Sequence, residues 1–376
     1  MTFTVPHLST SVANDTCYHH NVDNLGKTAI SMAQGYVGSN NITLLVPKGQ
    51  FGTRWEGGKD GASPTYISVM LSQITRVLFS EEDNILLEYL NECGREIEPT
   101  WFMPIIPTVL VNGCEGVGSG FSTYIPNYNP TDIVANIRRL LNGETMVPMD
   151  PWYKGFKGKI EKTDTNEGGC SSYTVTGDYK KVNDTHIRIL ELPIKLWTSQ
   201  YKKFLTSSPL LQSYRFPSDV KSVNIDLFLT KENMEVAQKM GFLNAFKLTK
   251  KISTRNMHLF DEKGVHKKYT TPEQILEKFF HLRMEYYERR KINMLKNLQL
   301  EQLSGVVTGE MKIQELDNAI VELEASTASS LWLVELDSLE RELGEAEEKE
   351  VKAPRKQKQS EGVAIGMSPE KKARKI

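Results

Sequence analysis

Apolar residues in the first third of the chain recur at helical spacing behind a long glycine-bearing loop. After "GQFGTRWEGGKDGASP" come Met70, Ile74, Val77 and Leu78, with Ser63 and Pro64 ahead of them as an N-cap and first-turn pair. The spacing predicts a helix entered at Pro64, with Tyr66 in its first turn. "NITLLVP" reads as a short strand. The prolines of "WFMPIIPTVLVNGCEGVGSGF" confine any strand there to Thr108–Val111, ahead of a glycine-rich turn. In "TDIVANIRRLLNG", Thr131 caps a compact helix, Ile133, Val134, Ile137, Leu140 and Leu141 line one face, and Gly143 stops it.

The pattern changes along the chain. Residues 157–195 hold the alternating stretches "YTVTGDY" and "HIRILEL", and residues 223–230 put Val223, Ile225, Leu227 and Leu229 on one face. These are antiparallel strands of a separate α+β region. A third texture begins at Thr271, Pro272 and Gln274, a capping-box start. Ile275, Phe279, Leu282 and Tyr286 then recur at three and four residues over a helix too long for an ordinary globular domain. "LWLVELDSLERELGEAEEKE" is a second charged helical stretch, expected to pack back antiparallel. The basic end, "VKAPRKQKQSEGVAIGMSPEKKARKI", is low in apolar residues and reads as a disordered tail with nuclear-localisation-like patches.

Composition narrows the function classes. The chain has 376 residues and a formal net charge of −1, so any polyanion must be met by a local patch. Cys17, Cys93, Cys114 and Cys170 lack metal or CxxC spacing, which fits a reducing compartment. No apolar run is long enough to span a bilayer, and the start lacks a signal-peptide pattern. A soluble intracellular protein is the expectation.

Tyr66 is the first candidate for chemistry. A phenol is a poor nucleophile at neutral pH unless its anion is stabilised, and a helix N-terminus favours both a phenolate and an approaching phosphate. Arg54 and Lys59 could hold that phosphate from the preceding loop. Attack on a phosphodiester would give a phosphotyrosine that conserves the backbone bond energy. The plainer alternative is a ring packed against a neighbour. The glycine-rich residues 112–121 fail as a phosphate loop, since GVGSG is not GxGxxG and no Gly-Lys-Ser/Thr follows. Val117, between Gly116 and Gly118, instead offers a small apolar wedge that could enter a base step; a buried turn residue is the alternative. His19 and His20 have no carboxylate or cysteine at ligand spacing, so no metal site is assigned to them.

"YHH", "AQGYVGSNNITLLVPKGQFGTRWEGGKDGASPTYI", "EPTWFMPIIPTVLVNGCEGVGSGFSTYIPNYNP", "ELPIKLWTSQYK", "FKLTKKISTRNMHLFDEKGVHKKY" and "FFHLRMEYYERRK" together resemble eukaryotic type II DNA topoisomerases over residues 17–298. The resemblance implies an ATP-hydrolysing isomerase of double-stranded DNA that acts in the nucleus in chromosome segregation. It makes Tyr66 the nucleophile that stays joined to a 5′ phosphate while a second duplex passes. His20, Arg54 and Lys59 become backbone contacts, and Val117 matches the isoleucine that bends the cleaved segment. The implied architecture is multidomain α+β: a partial winged-helix cleavage domain over residues 1–125 and an α+β tower over 126–270. Long antiparallel coiled-coil helices toward a dimeric exit gate follow over 271–345, and a basic tail over 346–376.

Family members also carry an ATPase domain and a metal-binding domain whose acidic cluster holds magnesium. Mg²⁺ and ATP are therefore implied, yet no ligand for either is legible here, and on this reading the chain starts inside the winged helix. The coil return between Gln302 and Ser330 looks shortened. A homodimer, or a companion chain bearing the missing domains, follows as the expected assembly. The alternative is a non-catalytic DNA-binding or dimerising remnant. Thr65 stands where the family has arginine, Phe121 where it has tryptophan, and Asn21-Val22-Asp23 where it has Gly-Glu-Gln.

Overall fold

Thr4 ends a short strand and starts a helix. Its hydroxyl accepts from His7 N, and Val5 N donates to Ile67 O, so the Val5–Asp15 helix is tied at its first residue to the chain near Tyr66. Asn21 caps the next helix, Val22–Ala33, through Asp23 N. The two helices pack on an antiparallel sheet in which Ser68–Leu71 lies between Thr2–Thr4 and Leu45–Lys48. Val5, Ala33, Phe51, Ile67 and Val69 form its core. This mixed α+β structure is a computed structural model that describes residues 2–92, 94–118, 120–165, 169–217, 222–304 and 310–352.

The helix expected from Pro64 onward does not form. Pro64–Tyr66 is a single 3-10 turn, Ser68–Leu71 is a strand, and only Gln73–Leu78 is helical. Ile67 and Val69 are buried on one face of the central strand, a two-residue period that outcompetes the helical spacing of Met70 and Ile74. Ser63 caps nothing; its hydroxyl lies 3.3 Å from that of Thr65. Thr108–Val111 is likewise a helical turn rather than a strand, because Pro107 O accepts from Leu110 N and Val111 N. Asn129, not Thr131, caps the helix Pro130–Leu141, and Gly143 follows it at φ 73°. The strand read in "NITLLVP" begins later, at Leu45.

The middle region holds two antiparallel sheets. One runs Asp178–Asn183, His186–Glu191, Ile225–Phe228 and Ser213–Arg215 in spatial order, with the helices Thr198–Ser207 and Lys231–Met240 packed on it. Ile225, Leu227 and Leu229 are buried, as their alternation predicts. The other runs Thr249–Ser253, Ser171–Thr176 and Lys159–Thr165.

Pro272–Ser304 is a continuous helix of 33 residues, roughly 50 Å at 1.5 Å per residue. Gln274 N lies 3.4 Å from Thr271 Oγ1, and Gln274 Oε1 accepts from Thr270 N, so the capping box closes one residue early. Its antiparallel partner is Glu310–Ala325, tied by Gln302 to Asp317 and by Lys291 Nζ to Glu324 O and Ser326 O. Ala328–Lys352 instead crosses the long helix at Tyr287 and turns onto the body, where Arg138 holds Asp337 and Glu340. This helix continues through residues 346–352, which the composition of the basic end assigns to the tail; the proposed localisation patches at 353–376 lie outside the described residues.

One core crosses these regions. Ile42, Leu78, Ile105, Leu110, Ile133, Tyr287, Trp332 and Leu336 pack in a single cluster, and Trp332 Nε1 donates to Ile105 O at 3.0 Å. Beside it, buried Asn41 binds four backbone groups. Its amide nitrogen lies 2.9–3.2 Å from the carbonyls of Val111, Tyr128 and Trp152, and its oxygen accepts from Lys154 N at 2.9 Å. Asn112 completes the joint, pairing in both directions with the backbone of Ile42 at 2.9 Å. Stranding these buried carbonyls makes Asn41→Ala lower stability by about 3 kcal/mol. A urea-unfolding midpoint equal to that of the wild type would remove Asn41 from this role.

Candidate functional site

Tyr66 is 83% exposed, although its chain neighbour Ile67 is almost fully buried. The 3-10 turn fixes its backbone through Tyr66 N to Ser63 O at 2.9 Å, and the central strand begins two residues later. The helix start that stands beside Tyr66 belongs to Val5–Asp15, through Val5 N to Ile67 O, not to the residue's own turn. The hydroxyl has no partner among the described residues. An open phenol on a fixed backbone is available to a large substrate.

The loop before it is equally fixed. Thr53 N and Oγ1 bind the two oxygens of Asp60 at 2.8 and 2.5 Å, Gly58 N donates to Thr53 O, and Gln34 Nε2 donates to Phe51 O. A Cβ at Gly52 would lie 2.4 Å from Gly58 O, so the two limbs close only without one. Tyr36 lies against this loop, and burial with the nearby Asp60 charge pushes its phenol up to about 12. Lys59 projects from the tied turn into solvent and makes no ion pair among the described residues.

Arg54 departs from expectation. It is 5% exposed, lies 2.5 Å from Glu191, and donates to Leu192 O at 2.8 Å. Glu191 also accepts from Leu192 N and Lys157 N. Its guanidinium is taken up by these protein partners, and Arg54 bolts the tyrosine-bearing loop to the middle region. No local pattern announces this, because its partner is far away in the chain and charge alone does not reveal burial.

The glycine-rich residues form a hairpin, Cys114–Gly118 with Phe121–Ile125, and Val117 near its turn is 90% exposed. The base is tight: Gly113 has φ 68°, and a Cβ there would lie 2.5 Å from Asn127 Oδ1. Tyr124 N donates to Asn256 O, Thr123 Oγ1 to His258 O, and Phe121 packs against Phe260 and His266. The buried-turn alternative for Val117 therefore fails, since an exposed valine sits on a braced ribbon.

His19 Nε2 bonds Glu92 at 2.8 Å, whereas exposed His20 makes an edge contact with Tyr18. No group of three or more His, Cys, Asp or Glu among the described residues is placed to hold a metal ion. Cys17 and Cys114 are free thiols. Between the Val22–Ala33 helix and the hairpin lies a cleft of about 300 Å³, lined in part by Gln34, Asn40, Asn112, Glu115 and Lys195. Sequence reading misses the residues that assemble this site: Gln34, Asn41, Asn112 and Glu191 carry no motif, and their work is to bind backbone far away in the chain.

A family model describing the A-type subunit of DNA gyrase/topoisomerase IV matches residues 5–351. DNA topoisomerase 2 of Arabidopsis thaliana is 58% identical over 319 residues, covering 81% of this chain and 22% of that protein. DNA topoisomerase 2-alpha of Homo sapiens is 41% identical over 326 residues, covering 84% of this chain and 21% of that protein. The chain thus spans about a fifth of the length of these relatives. In three dimensions it is similar to a Plasmodium falciparum topoisomerase II DNA-binding, cleavage and re-ligation domain. The TM-score is 0.87 at 30% identity, over 93% of this chain and 59% of the other.

Removing one partner of a buried ion pair leaves the other charge uncompensated. Arg54→Ala should therefore destabilise the chain by about 3–5 kcal/mol, and Glu191→Gln in the same chain should recover part of that loss. Urea unfolding checks both; a stable Arg54→Ala with weakened DNA binding would return this residue to the phosphate-contact set.

Proposed function

The chain belongs to the DNA gyrase/topoisomerase IV family, on the side of its A-type subunit, and we propose that it is the cleavage and strand-passage portion of a type II DNA topoisomerase. The observation that carries the reading is Tyr66, open to solvent on a backbone locked by the Ile67 contact, in the same chain as an exposed wedge at Val117. In this reading the two N-terminal helices and their sheet are the winged-helix unit, and the middle sheets are the tower. The long helices lead toward a dimer contact.

The Tyr66 phenol oxygen attacks a backbone phosphorus, forming the phosphotyrosine bond as the bond to the 3′ oxygen breaks. The phenol gives up one proton and the leaving 3′ oxygen takes one up. Resealing is the reverse step and needs no further energy source. Each chain holds one such tyrosine and a duplex has two strands, so a double-strand break takes two copies. His20 and Lys59 are the proposed phosphate contacts from this chain. Val117 enters a base step and bends the duplex, unstacking that costs a few kcal/mol and is offset by the contacts the bend permits.

Magnesium and ATP belong to the activity proposed for the whole protein. The described residues supply no cluster of metal ligands, and the glycine-rich stretch is a hairpin rather than a phosphate loop leading into a helix. No helix among the described residues is long and apolar enough to cross a membrane; nuclear localisation is the proposed address.

In an assembly that supplies the remaining portions of the relatives, Tyr66→Phe should abolish the covalent protein–DNA adduct while duplex binding persists. An adduct that survives would assign the nucleophile elsewhere. Thr65 is exposed and brings no charge to the turn; Thr65→Arg should raise adduct formation about tenfold, the worth of one charged hydrogen bond. With the chain alone, Val117→Ala should reduce the bend read by end-to-end fluorescence transfer and leave the salt dependence of binding unchanged.

A further inference from the structure

We propose that Lys195 and Lys250 form a second phosphate-binding station beside the Val117 wedge, and that the Glu115 carboxylate occupies it in the free chain as a stand-in for phosphate. The inference rests on the reading of Val117 as a DNA wedge and adds to it a site and the means by which that site is masked.

Glu115 and Val117 are two residues apart on one strand, so they point to the same face, roughly 7 Å apart along the ribbon. Their partners across the ladder, Tyr124 and Ser122, share that face. Lys195 reaches over it from the middle region, pairing with Glu115 while its ammonium lies 4.8 Å from the Tyr124 ring centroid. Its backbone is held in the left-handed region at φ 59°, behind the Pro193 O to Leu196 N turn. Lys250 Nζ donates to Lys195 O at 3.3 Å. No carboxylate forms an ion pair with Lys250 among the described residues; burial and the Lys195 charge hold its ammonium below the ordinary lysine range, with Glu115 opposing.

Lys195 thus pairs with the carboxylate while Lys250 stands behind it on the Lys195 backbone, and that carboxylate is largely open to solvent, its side chain 65% exposed. A duplex whose base step receives Val117 brings its backbone across this face. There the bare Glu115 charge would repel it, unless phosphate takes over the lysines and Glu115 swings into water. The exchange is cheap because the pair is at the surface, where an ion pair contributes little. The cleft that Glu115 and Lys195 line opens toward Gln34 and Asn40 of the tyrosine-bearing unit. The station therefore shares a cleft with the unit that carries Tyr66.

The test is a double-mutant cycle on duplex binding by the full chain, read by fluorescence anisotropy over a salt series, with thermal melting as a folding control. Glu115→Gln should tighten binding about two- to fivefold and steepen the salt dependence by up to about one unit. Lys195→Met and Lys250→Met should each weaken binding and flatten that dependence. The gain from Glu115→Gln should shrink when Lys195 is already methionine. An equal gain in both backgrounds overturns the proposal, because Glu115 would then act only as a general negative charge. Weaker binding or a smaller bend in Glu115→Gln overturns it too, by making the pair a brace for the hairpin. A wild type that binds no duplex removes the wedge reading along with the proposal, whereas bending that depends on Val117 without coupling between Glu115 and Lys195 removes the proposal alone.

Discussion

A tyrosine proposed as the nucleophile toward a duplex cannot be held by packing of its own ring, so what positions Tyr66 acts through its neighbours in the chain. The buried Ile67 anchors one side, and the Pro64 turn anchors the other. The sheet that Ile67 enters is gripped by the helix start at Val5. What remains is to hold this unit against the rest of the molecule, and two polar joints do so. Asn41 and Asn112 bind the backbone at the root of the hairpin that carries Val117, and Arg54 closes on Glu191 across to the middle region. Polar joints suit the task because hydrogen-bond geometry fixes direction, whereas apolar contact alone tolerates sliding.

The same device recurs where the long helix leaves the body. Asp83 lies within 2.8 Å of both Arg283 and Arg290, Glu335 takes Arg290 at 2.7 Å, and the two guanidinium groups lie 4.1 and 4.8 Å from the Tyr287 ring centroid. All of this is buried or nearly so, and a buried charge left without its partner is costly. One-residue slippage of the helix would strand these charges, so the network selects a single register. The long helix is therefore joined to its neighbours at Asp83 and Glu335 by directed charge pairs as well as by apolar contact.

Legibility in the sequence follows the range of the forces involved. Local patterns hold: the alternation of Ile225, Leu227 and Leu229, the stripe from Ile133 to Ile137, and the start of the long helix at Pro272. Residues 64–78 mislead because Met70, Ile74, Val77 and Leu78 satisfy helical spacing while Ile67 and Val69 satisfy a strand. The two flanking strands that decide the matter are remote or weakly marked. The candidates Tyr66, Lys59 and Val117 are exposed, but Tyr66 sits in a 3-10 turn rather than at the start of a helix and Val117 on a hairpin strand rather than at a turn tip. Arg54 misleads for the opposite reason: a cation in a polar loop reads as a surface group until the carboxylate that buries it is seen.

That contrast also separates two kinds of ion pair in a chain whose net charge is −1. Attraction to a polyanion cannot come from an overall field here, so it depends on which cations are free and which are already neutralised. The side chains of Arg54 and Glu191 are 6% and 3% exposed, closed on each other within the loop joint. Those of Lys195 and Glu115 are 29% and 65% exposed, and water already reaches the carboxylate. Coulomb energy between such groups falls steeply as solvent enters, so the first pair is structural and the second is replaceable. Exposure, more than charge or distance, decides which cations of this fold a nucleic acid can recruit.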